Sequence, residues 1–307
     1  MNIYKKLSSF IFFSTLLLSC NAQDTSKVCE KRIAELMGQN ETLINKIDSL
    51  NNRPKTQTSK NEINQFSHDI LSSIINFQDK KYTIFVVDPA KFEIELFNFN
   101  ESTNKFYNFN SIRKTLMERQ KKMLMVMNAG MYKPDRTPQG LYINNGVEYY
   151  GVDTVKHNKK GNFFDLPPNG IFTLDFNNHA QVITTNNFRN LDSATVSTIK
   201  LATQSGPMLL INNVMNTYFQ KGSKNLNIRN GVGVNNNGEI IFIISNERVN
   251  FYEFAELYRF FGCSNALYLD GAISKMAVPA FSVSSNSSFE GSLPSSNHLG
   301  PIITVFK

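Results

Sequence analysis

The sequence contains no tryptophan, and among its 307 residues only three are cysteine and four are histidine. Three cysteines are too few for the disulfide framework that holds many small secreted domains together. The histidines, His68, His157, His179 and His298, are far apart, and none has the spacing of a zinc-binding motif. The fold must therefore depend on a hydrophobic core, for which an apolar content of 41% is sufficient.

The net charge of +7 belongs only partly to the mature protein. Lys5 and Lys6 precede an apolar segment, residues 10–18, which is too short to span a bilayer and is followed by Ser19 and Cys20. A basic start, a short apolar core and a small residue are typical of an export signal. The last four residues of this region resemble a bacterial lipobox, which predicts a signal peptide at 1–19 and lipidation of Cys20. An ordinary signal with an incidental cysteine is the alternative.

Lipidation predicts that the protein meets a membrane through Cys20, because each buried acyl methylene contributes about 0.8 kcal/mol. Asn21 follows the cysteine instead of aspartate. By resemblance to known sorting rules, this favours an exported bacterial lipoprotein of the outer membrane that faces the periplasm. The signal also removes two positive charges, and no zinc-finger or Arg-rich pattern accompanies the remainder, so no nucleic-acid partner is expected.

A heptad pattern follows the predicted anchor. Three- and four-residue spacings relate a series of positions: Cys29, Ile33, Leu36, Asn40, Leu43, Ile47 and Leu50. β-Branched residues at a and leucine at d favour a parallel dimer, so residues 29–50 predict a homo-oligomer in which two Cys29 thiols could pair. A solvated spacer helix is the alternative, because three heptads are marginally stable alone. With the polar linker that ends at residue 64, residues 20–64 form a predicted lipid-anchored helical stalk.

Residues 65–307 have the pattern of a folded domain rich in strands. Apolar or alternating segments predict strands at 82–87, 92–97, 123–127, 170–176, 207–211, 239–244 and 266–269. The short spacer between the first two predicts a hairpin. Helices are predicted at 112–122 and 250–261, the second with Asn250 as N-cap, Glu253 at N3 and Gly262 after its end. Because regular βαβ alternation is lacking, we expect a mixed, strand-rich α+β single domain after the stalk.

Four polar segments containing glycine directly follow predicted strands, where binding loops are commonly built. They are Asn128–Gly140, Ala202–Pro207, Arg229–Gly233 and Leu269–Ser274. Taken singly, each is better explained as a turn. None matches a P-loop or the elbow of a serine hydrolase.

In this order, the four segments resemble the phosphodiester glycosidase family. Asn128-Ala-Gly-Met-Tyr132 stands where members carry N-G-G-F-F, and Ser205-Gly-Pro207 is retained. Arg229 precedes a short strand containing glycine, as in the family. Leu269-Asp-Gly-Ala-Ile-Ser274 stands where members carry L-D-G-G-G-S, so Ala272-Ile273 replaces two glycines. The resemblance spans residues 123–307 and implies a hydrolase that cleaves the bond between a sugar and a phosphodiester.

The resemblance also implies roles for individual residues. Asp270 would serve as the carboxylate at an oxocarbenium-like centre, with a turn-capping aspartate as the alternative. Arg229 would bind the phosphate through its planar guanidinium, with a structural ion pair as the alternative. Glu247 would be a second carboxylate, or else a solvated partner of Arg248. The expected substrate-binding positions are Asn128, Gly130, Gln204, Ser205, Gly206, Gly271 and Ser274.

Other side chains are weaker candidates. Asp135 lies in the loop after Asn128, and Cys263 is expected to be a buried core thiol. The sequence requires no cofactor and assigns no metal ligands, although a divalent cation near Asp270 would be compatible with its carboxylate.

Two classes of function follow. The first is an enzyme that cleaves a sugar-1-phosphodiester in the cell envelope or on imported glycans, with a sugar phosphate or a phosphodiester-linked glycan as its partner. The alternative is a non-catalytic lipoprotein of the same fold that binds glycan phosphates or assists exopolysaccharide assembly. The Ala272-Ile273 replacement and the anchored stalk favour the alternative.

Overall fold

A computed structural model describes residues 70–102, 104–155, 163–270, 274–278, 293 and 299–307. The predicted signal, the lipidation site Cys20, the stalk and Gly271 lie outside the described residues. The predicted boundary at residue 65 also lies outside them.

Short strands make up most of the regular structure. In chain order they are β1 (Ile70–Phe77), β2 (Lys80–Val87), β3 (Glu93–Phe97), β4 (Phe99–Asn100), β5 (Lys105–Phe106), β6 (Met123–Asn128), β7 (Tyr142–Asn144), β8 (Val147–Tyr150), β9 (Gly170–Asp175), β10 (Ala180–Thr184), β11 (Ile199–Ser205), β12 (Met208–Ile211), β13 (Val214–Met215), β14 (Asn230–Asn235), β15 (Ile240–Ser245), β16 (Cys263–Tyr268), β17 (Met276–Ala277) and β18 (Ile302–Phe306). The helices are α1 (Phe109–Glu118), α2 (Thr185–Arg189), α3 (Ser193–Ser197) and α4 (Phe251–Phe260), with a 3₁₀ turn at Phe163–Asp165. The predicted strand-rich domain with few helices is confirmed.

The strands form three main antiparallel sheets and one small hairpin. The main sheet has the order β1-β2-β15-β14-β16-β12-β13. The second has the order β10-β9-β11-β7-β8, and the third has the order β17-β6-β18-β3. Strands β4 and β5 pair only with each other in the described structure.

The predicted hairpin between residues 82–87 and 92–97 is wrong. Strand β2 pairs with β1 and β15 in the main sheet, whereas β3 pairs with β18 in the third sheet. Both segments are strands as expected, but residues 88–92 between them carry the chain from one sheet to another. Their apolar side chains thereby face one shared core instead of each other.

That core lies where the three sheets meet. Its buried side chains come from all three, among them Phe242 of the main sheet, Phe172 of the second and Met127 of the third. The rings of Phe172 and Phe242 meet edge to face with centroids 6.2 Å apart. Two further clusters pack α4 onto the main sheet and α1 onto the third sheet. The core therefore fixes the sheets relative to one another, and with them the loops at their edges.

The two longer helices begin at capping boxes. In α4, the Asn250 side chain accepts from the Glu253 amide and Glu253 reaches back to the Asn250 amide, as the sequence predicts. Gly262 follows its end with φ of 75°. Helix α1 starts three residues before its predicted start, because Asn108 and Ser111 form the same reciprocal pair. Among the described helices, none is long and apolar enough to cross a membrane.

Candidate active site

Three of the four predicted segments lie along one edge of the main sheet, namely the edge formed by the end of β16 and the starts of β14 and β12. Asp270 follows the end of β16, Asn230 begins β14, and Gly206 precedes β12. Strand β16 is antiparallel to both neighbours, so its end lies beside the start of each of them. Asn128 reaches the same place from the third sheet, as the last residue of β6.

A hydrogen bond joins Asp270 to Asn128. The Asn128 Nδ2 donates to Asp270 Oδ2 at 2.8 Å across 142 residues of sequence. Asn128 has no exposed surface, and Asp270 is 7% exposed. The Asn128 Oδ1 accepts from the Lys275 amide at 2.6 Å, which fixes the orientation of the amide and leaves Nδ2 for the carboxylate. Two predicted site residues are thus brought into direct contact.

Asn230 belongs to this network, and sequence reasoning missed it. Its Nδ2 lies 2.8 Å from the Asn128 carbonyl oxygen and 3.2 Å from Asn128 Oδ1. Its Oδ1 lies 3.1 Å from the Ser274 hydroxyl, which is also 3.0 Å from the Asp270 carbonyl. The predicted Ser274 therefore contacts Asn230 and Asp270. The available signal was position, because Asn230 directly follows Arg229 in the same motif.

Two tyrosines lie close enough to Asp270 for its charge to affect them. Burial raises the pKa of Tyr132, and the negative charge of Asp270 raises it further. Burial likewise raises the pKa of Tyr268, with Asp270 adding to the effect and Arg229 opposing it. Both phenols therefore keep their protons at neutral pH, and both are neutral hydrogen-bond donors near the carboxylate.

Arg229 is fully buried in an aromatic cage. Its Cζ lies 3.5 Å from the centre of the Phe251 ring and 5.3 Å from the centres of the Phe163 and Tyr268 rings. Its Nε donates to the Val249 carbonyl at 2.9 Å, and Nη2 donates to the Asn225 carbonyl at 2.9 Å. The phosphate role of Arg229 stays a prediction. In the structure, the guanidinium instead donates hydrogen bonds to two backbone carbonyls.

The cage also perturbs the guanidinium itself. Burial lowers the pKa of Arg229, while Tyr268 acts in the opposite direction. Nη1 has no hydrogen-bond partner of ordinary geometry in the described structure, although the Tyr268 hydroxyl interacts with the guanidinium. An arginine still carries its charge at neutral pH under such conditions.

Gln204 holds a neighbouring loop in place. Its Oε1 accepts from the amides of Leu141 and Asp153, each at 2.9 Å. Its Nε2 donates to the Asp153 carbonyl at 2.7 Å and lies 3.3 Å from Thr185 Oγ1. These four contacts use the full capacity of the amide. Gln204 therefore has a structural task here, and its predicted contact with substrate stays a prediction.

The remaining predicted positions frame the site. A Cβ on Gly130 would overlap with Thr203 Oγ1 and the Gln204 carbonyl, and a Cβ on Gly206 would lie 2.7 Å from Asn169 Cβ. Both positions therefore need glycine for close packing. Ser205 is fully buried, and its Oγ has no partner among the described residues. Their roles toward a substrate stay predictions.

Glu247 lies at the same sheet edge, two strands away from Asp270. Its Oε2 is 3.5 Å from Lys80 Nζ, its Oε1 accepts from the Lys81 amide at 3.2 Å, and its side chain is 41% exposed. It thus forms a solvated ion pair, with Lys80. The catalytic role of Glu247 stays a prediction. The weaker candidate Asp135 is exposed and accepts from Thr137.

Metal-binding and thiol side chains form the last group of candidates among the described residues. Within the described ranges, no group of three or more His, Cys, Asp or Glu side chains is placed to hold a metal ion. The divalent cation near Asp270 stays a prediction. Cys263 is buried, as expected of a core thiol, and burial raises its pKa to about 12, so it remains a neutral thiol.

Residues 121–302 match the family model of the phosphodiester glycosidases (NAGPA). The chain belongs to this family. The resemblance read from the four motifs is therefore confirmed, and family membership supports a glycosidase-type hydrolase role. Asp270, Asn128 and Asn230 all lie within the matched residues.

Other similarities are more partial. The chain is 35% identical over 158 residues to the uncharacterized protein YigE of Escherichia coli (strain K12), a match that covers 51% of this chain and 59% of YigE. The matched part is thus less than two thirds of that relative. The catalytic domain of zebrafish N-acetylglucosamine-1-phosphodiester alpha-N-acetylglucosaminidase, auto-inhibited by its pro-peptide, aligns with 77% of this chain and 82% of its own, at 14% identity and a TM-score of 0.49. A putative exported protein from Burkholderia pseudomallei K96243 aligns with 74% of each chain, at 12% identity and a TM-score of 0.44.

Proposed function

We propose that this phosphodiester glycosidase hydrolyses a sugar-1-phosphodiester, with Asp270 as the carboxylate at the reacting carbon. The observation that carries the proposal is the 2.8 Å hydrogen bond from Asn128 to Asp270. It joins the first and last family motifs, which come from different sheets. A turn-capping aspartate would not need a buried amide from another sheet.

The reaction needs one water and leaves atoms and charge balanced. The oxygen of water bonds to the anomeric carbon, and the bond from that carbon to the phosphate oxygen breaks with its electron pair. The products are the free sugar, a phosphate monoester and one proton. Because phosphate is a good leaving group, a strong general acid contributes less than in ordinary glycosidases.

In this mechanism, Asp270 either stabilises the positive charge that develops on the sugar or activates the water. Asn128 keeps the carboxylate oriented, and its own orientation depends on Lys275 and Asn230. In the same mechanism, the neutral phenol of Tyr132 donates to sugar or phosphate oxygens.

In this mechanism, Arg229 binds the phosphate through its Nη1 nitrogen. Its Nε and Nη2 already donate to carbonyls, whereas Nη1 lacks a partner of ordinary geometry among the described residues. A phosphate could reach this nitrogen only if the surrounding aromatic side chains move, because Arg229 has no exposed surface.

The proposed setting is the cell envelope. The basic start, the apolar core and the lipobox-like residues ending at Cys20 support export and lipid anchoring at the outer membrane, facing the periplasm. The heptads at 29–50 support a homo-oligomer. Mass spectrometry of the mature N-terminal peptide tests the anchor: an acylated Cys20 is expected, and an unmodified one would contradict it.

The activity is tested with full-length protein and a UDP-sugar, by following release of the free sugar. We expect Asp270→Asn to lower kcat by at least a hundredfold, because the reacting carbon loses its carboxylate. Asp88→Asn, a conservative change at a loop carboxylate outside this network, should retain activity. Normal turnover in Asp270→Asn would contradict the assignment.

A non-catalytic function is the second candidate. Ala272 and Ile273 stand where family members carry two glycines beside the carboxylate, and added side chains narrow access to a backbone. On this alternative, the wild-type protein binds sugar phosphates tightly but releases no sugar in prolonged incubation. Replacement of both residues by glycine would then be expected to restore turnover.

A further inference from the structure

Away from Asp270, a cavity opens between the third sheet and the edge of the second sheet. Its volume is about 540 Å³, within the range of roughly 300–1,000 Å³ that small-molecule sites occupy. We call it the aromatic cleft, after its aromatic lining, which includes Phe99, Phe106, Tyr107, Tyr142, Tyr149 and Tyr150.

Two pairs of these rings come from two hairpins, β4-β5 and β7-β8, which we call the two walls of the cleft. Phe99 and Phe106, on β4 and β5, meet edge to face at 5.2 Å, while Tyr142 and Tyr149, on β7 and β8, meet at 6.1 Å. Phe99 and Tyr149 are 44% and 54% exposed, so both rings present apolar surface to solvent. Such rings offer apolar surface at low cost in conformational entropy.

Polar side chains line the cleft as well. The Asn98 side chain lines the cleft, is only 6% exposed, and its Oδ1 has no hydrogen-bond partner among the described residues. A buried acceptor without a partner destabilises the folded state, so its presence calls for an explanation. Asn100 and Asn144 also line the cleft and add amide groups.

The charges of the cleft are nearly balanced. Arg119 is the only cation in its described lining, and its Nη1 donates to Glu95 Oε2 at 2.8 Å. Glu101 adds a second carboxylate. For an anionic ligand, Arg119 is already neutralised by Glu95, and the Glu101 carboxylate would repel it. A neutral ligand would not be repelled and would not need a free cation.

We propose that the aromatic cleft is a binding site for a neutral saccharide unit. A sugar ring has apolar C–H faces and a rim of hydroxyls, which match a lining that combines aromatic rings with amide groups. Asn98 Oδ1 has almost no accessible surface in the unbound protein, so its side chain must turn toward the cleft to accept from a sugar hydroxyl, and its desolvation is then compensated. This site is separate from Asp270, so its occupation does not depend on the proposed reaction.

The test is a calorimetric titration of the full-length protein with four neutral trisaccharides, namely maltotriose, cellotriose, mannotriose and triacetylchitotriose, and with an anionic trimer of galacturonic acid. At least one neutral trisaccharide should bind with a millimolar Kd or tighter. Failure of all four, or binding of the anionic trimer alone, would overturn the proposal.

Variants locate the bound sugar. Tyr149→Ala should weaken binding by about tenfold, because one wall loses its ring. Tyr218→Ala removes an equally exposed tyrosine, 59% exposed, that does not line the cleft, and should leave the Kd unchanged. An unchanged Kd in Tyr149→Ala would overturn the proposal.

Two further measurements separate this site from a structural role and from the active site. Asn98→Leu should lose binding while its thermal unfolding temperature stays the same or rises, because an unpartnered buried acceptor is removed. Asp270→Asn should bind the trisaccharide as the wild type does. Binding that survives Asn98→Leu, or that disappears in Asp270→Asn, would place the sugar elsewhere.

Discussion

At the scale of single residues, the motif positions divide by what their side chains contact. Asn128 and Ser274 contact Asp270, whereas Gln204 uses all its hydrogen-bonding capacity on the protein. The motif letters alone cannot separate the amide of Asn128 from that of Gln204. Both are polar, buried and close to a glycine, and only their partners differ.

Arg229 gives the sharpest prediction at this scale. Arg229→Lys keeps the charge but loses the donors to Val249 and Asn225, so the free energy of unfolding should fall by about 2 kcal/mol, measured by urea titration. Arg259→Lys is the matched control, since Arg259 is exposed and paired with Glu256, and should change stability by less than about 0.5 kcal/mol. An unchanged stability in Arg229→Lys, with a raised KM for the UDP-sugar, would instead indicate a dedicated phosphate ligand.

At the scale of elements, α4 connects the fold to the site. Its apolar face, which includes Phe254, Leu257 and Tyr258, is buried on the main sheet. Its first residue, Phe251, lies over the Arg229 guanidinium. The start of this helix must therefore be well defined for the aromatic cage to be well defined.

The capping box of α4 is accordingly expected to matter for stability. Asn250→Ala removes the acceptor for the Glu253 amide and should lower the free energy of unfolding by about 1 kcal/mol. Asn250→Ser retains an N-cap acceptor and should recover most of the loss. Urea titration with circular dichroism measures both variants. Equal stability of Asn250→Ala and the wild type would show that the cap contributes nothing.

At the scale of the whole molecule, the site exists because separate sheets converge. The Gly130 amide, beyond the end of β6, lies 3.2 Å from Thr203 Oγ1 on β11, so the third and second sheets touch here. Asn128, two residues earlier, contacts the edge of the main sheet through Asn230. The segment from Asn128 to Gly130 therefore contacts both of the other sheets and holds the three sheets at a fixed spacing.

Gly130→Ala tests this convergence. The added Cβ would overlap with Thr203 and the Gln204 carbonyl, so the sheets must separate, and overpacking of this kind costs about 1–3 kcal/mol. The expected result is a lower unfolding midpoint together with reduced sugar release. Gly151→Ala is the control, because the nearest atom to its Cβ would be a flexible Glu148 oxygen at 3.4 Å. Wild-type stability and turnover in Gly130→Ala would contradict the packing argument.

The sequence by itself determined the local structure and the family. A short apolar run placed the strand at 123–127, the Asn250–Glu253 spacing determined the start of α4, and four motifs in order indicated a phosphodiester glycosidase. Such features depend on neighbouring residues along the chain. Local spacing is sufficient to determine them because capping and alternation act over a few residues.

Only the tertiary structure decided which segments meet. It separated β2 from β3, brought Asn230 to Asn128, enclosed Arg229 in aromatic rings, and left Asn98 facing a cleft. The physical reason is that an apolar pattern specifies which face of a strand is buried but not the partner that buries it. The partner of each strand is selected by packing among residues that are distant in sequence. The candidate active site is formed by such contacts, for example those of Asn128 with Asp270 and Asn230.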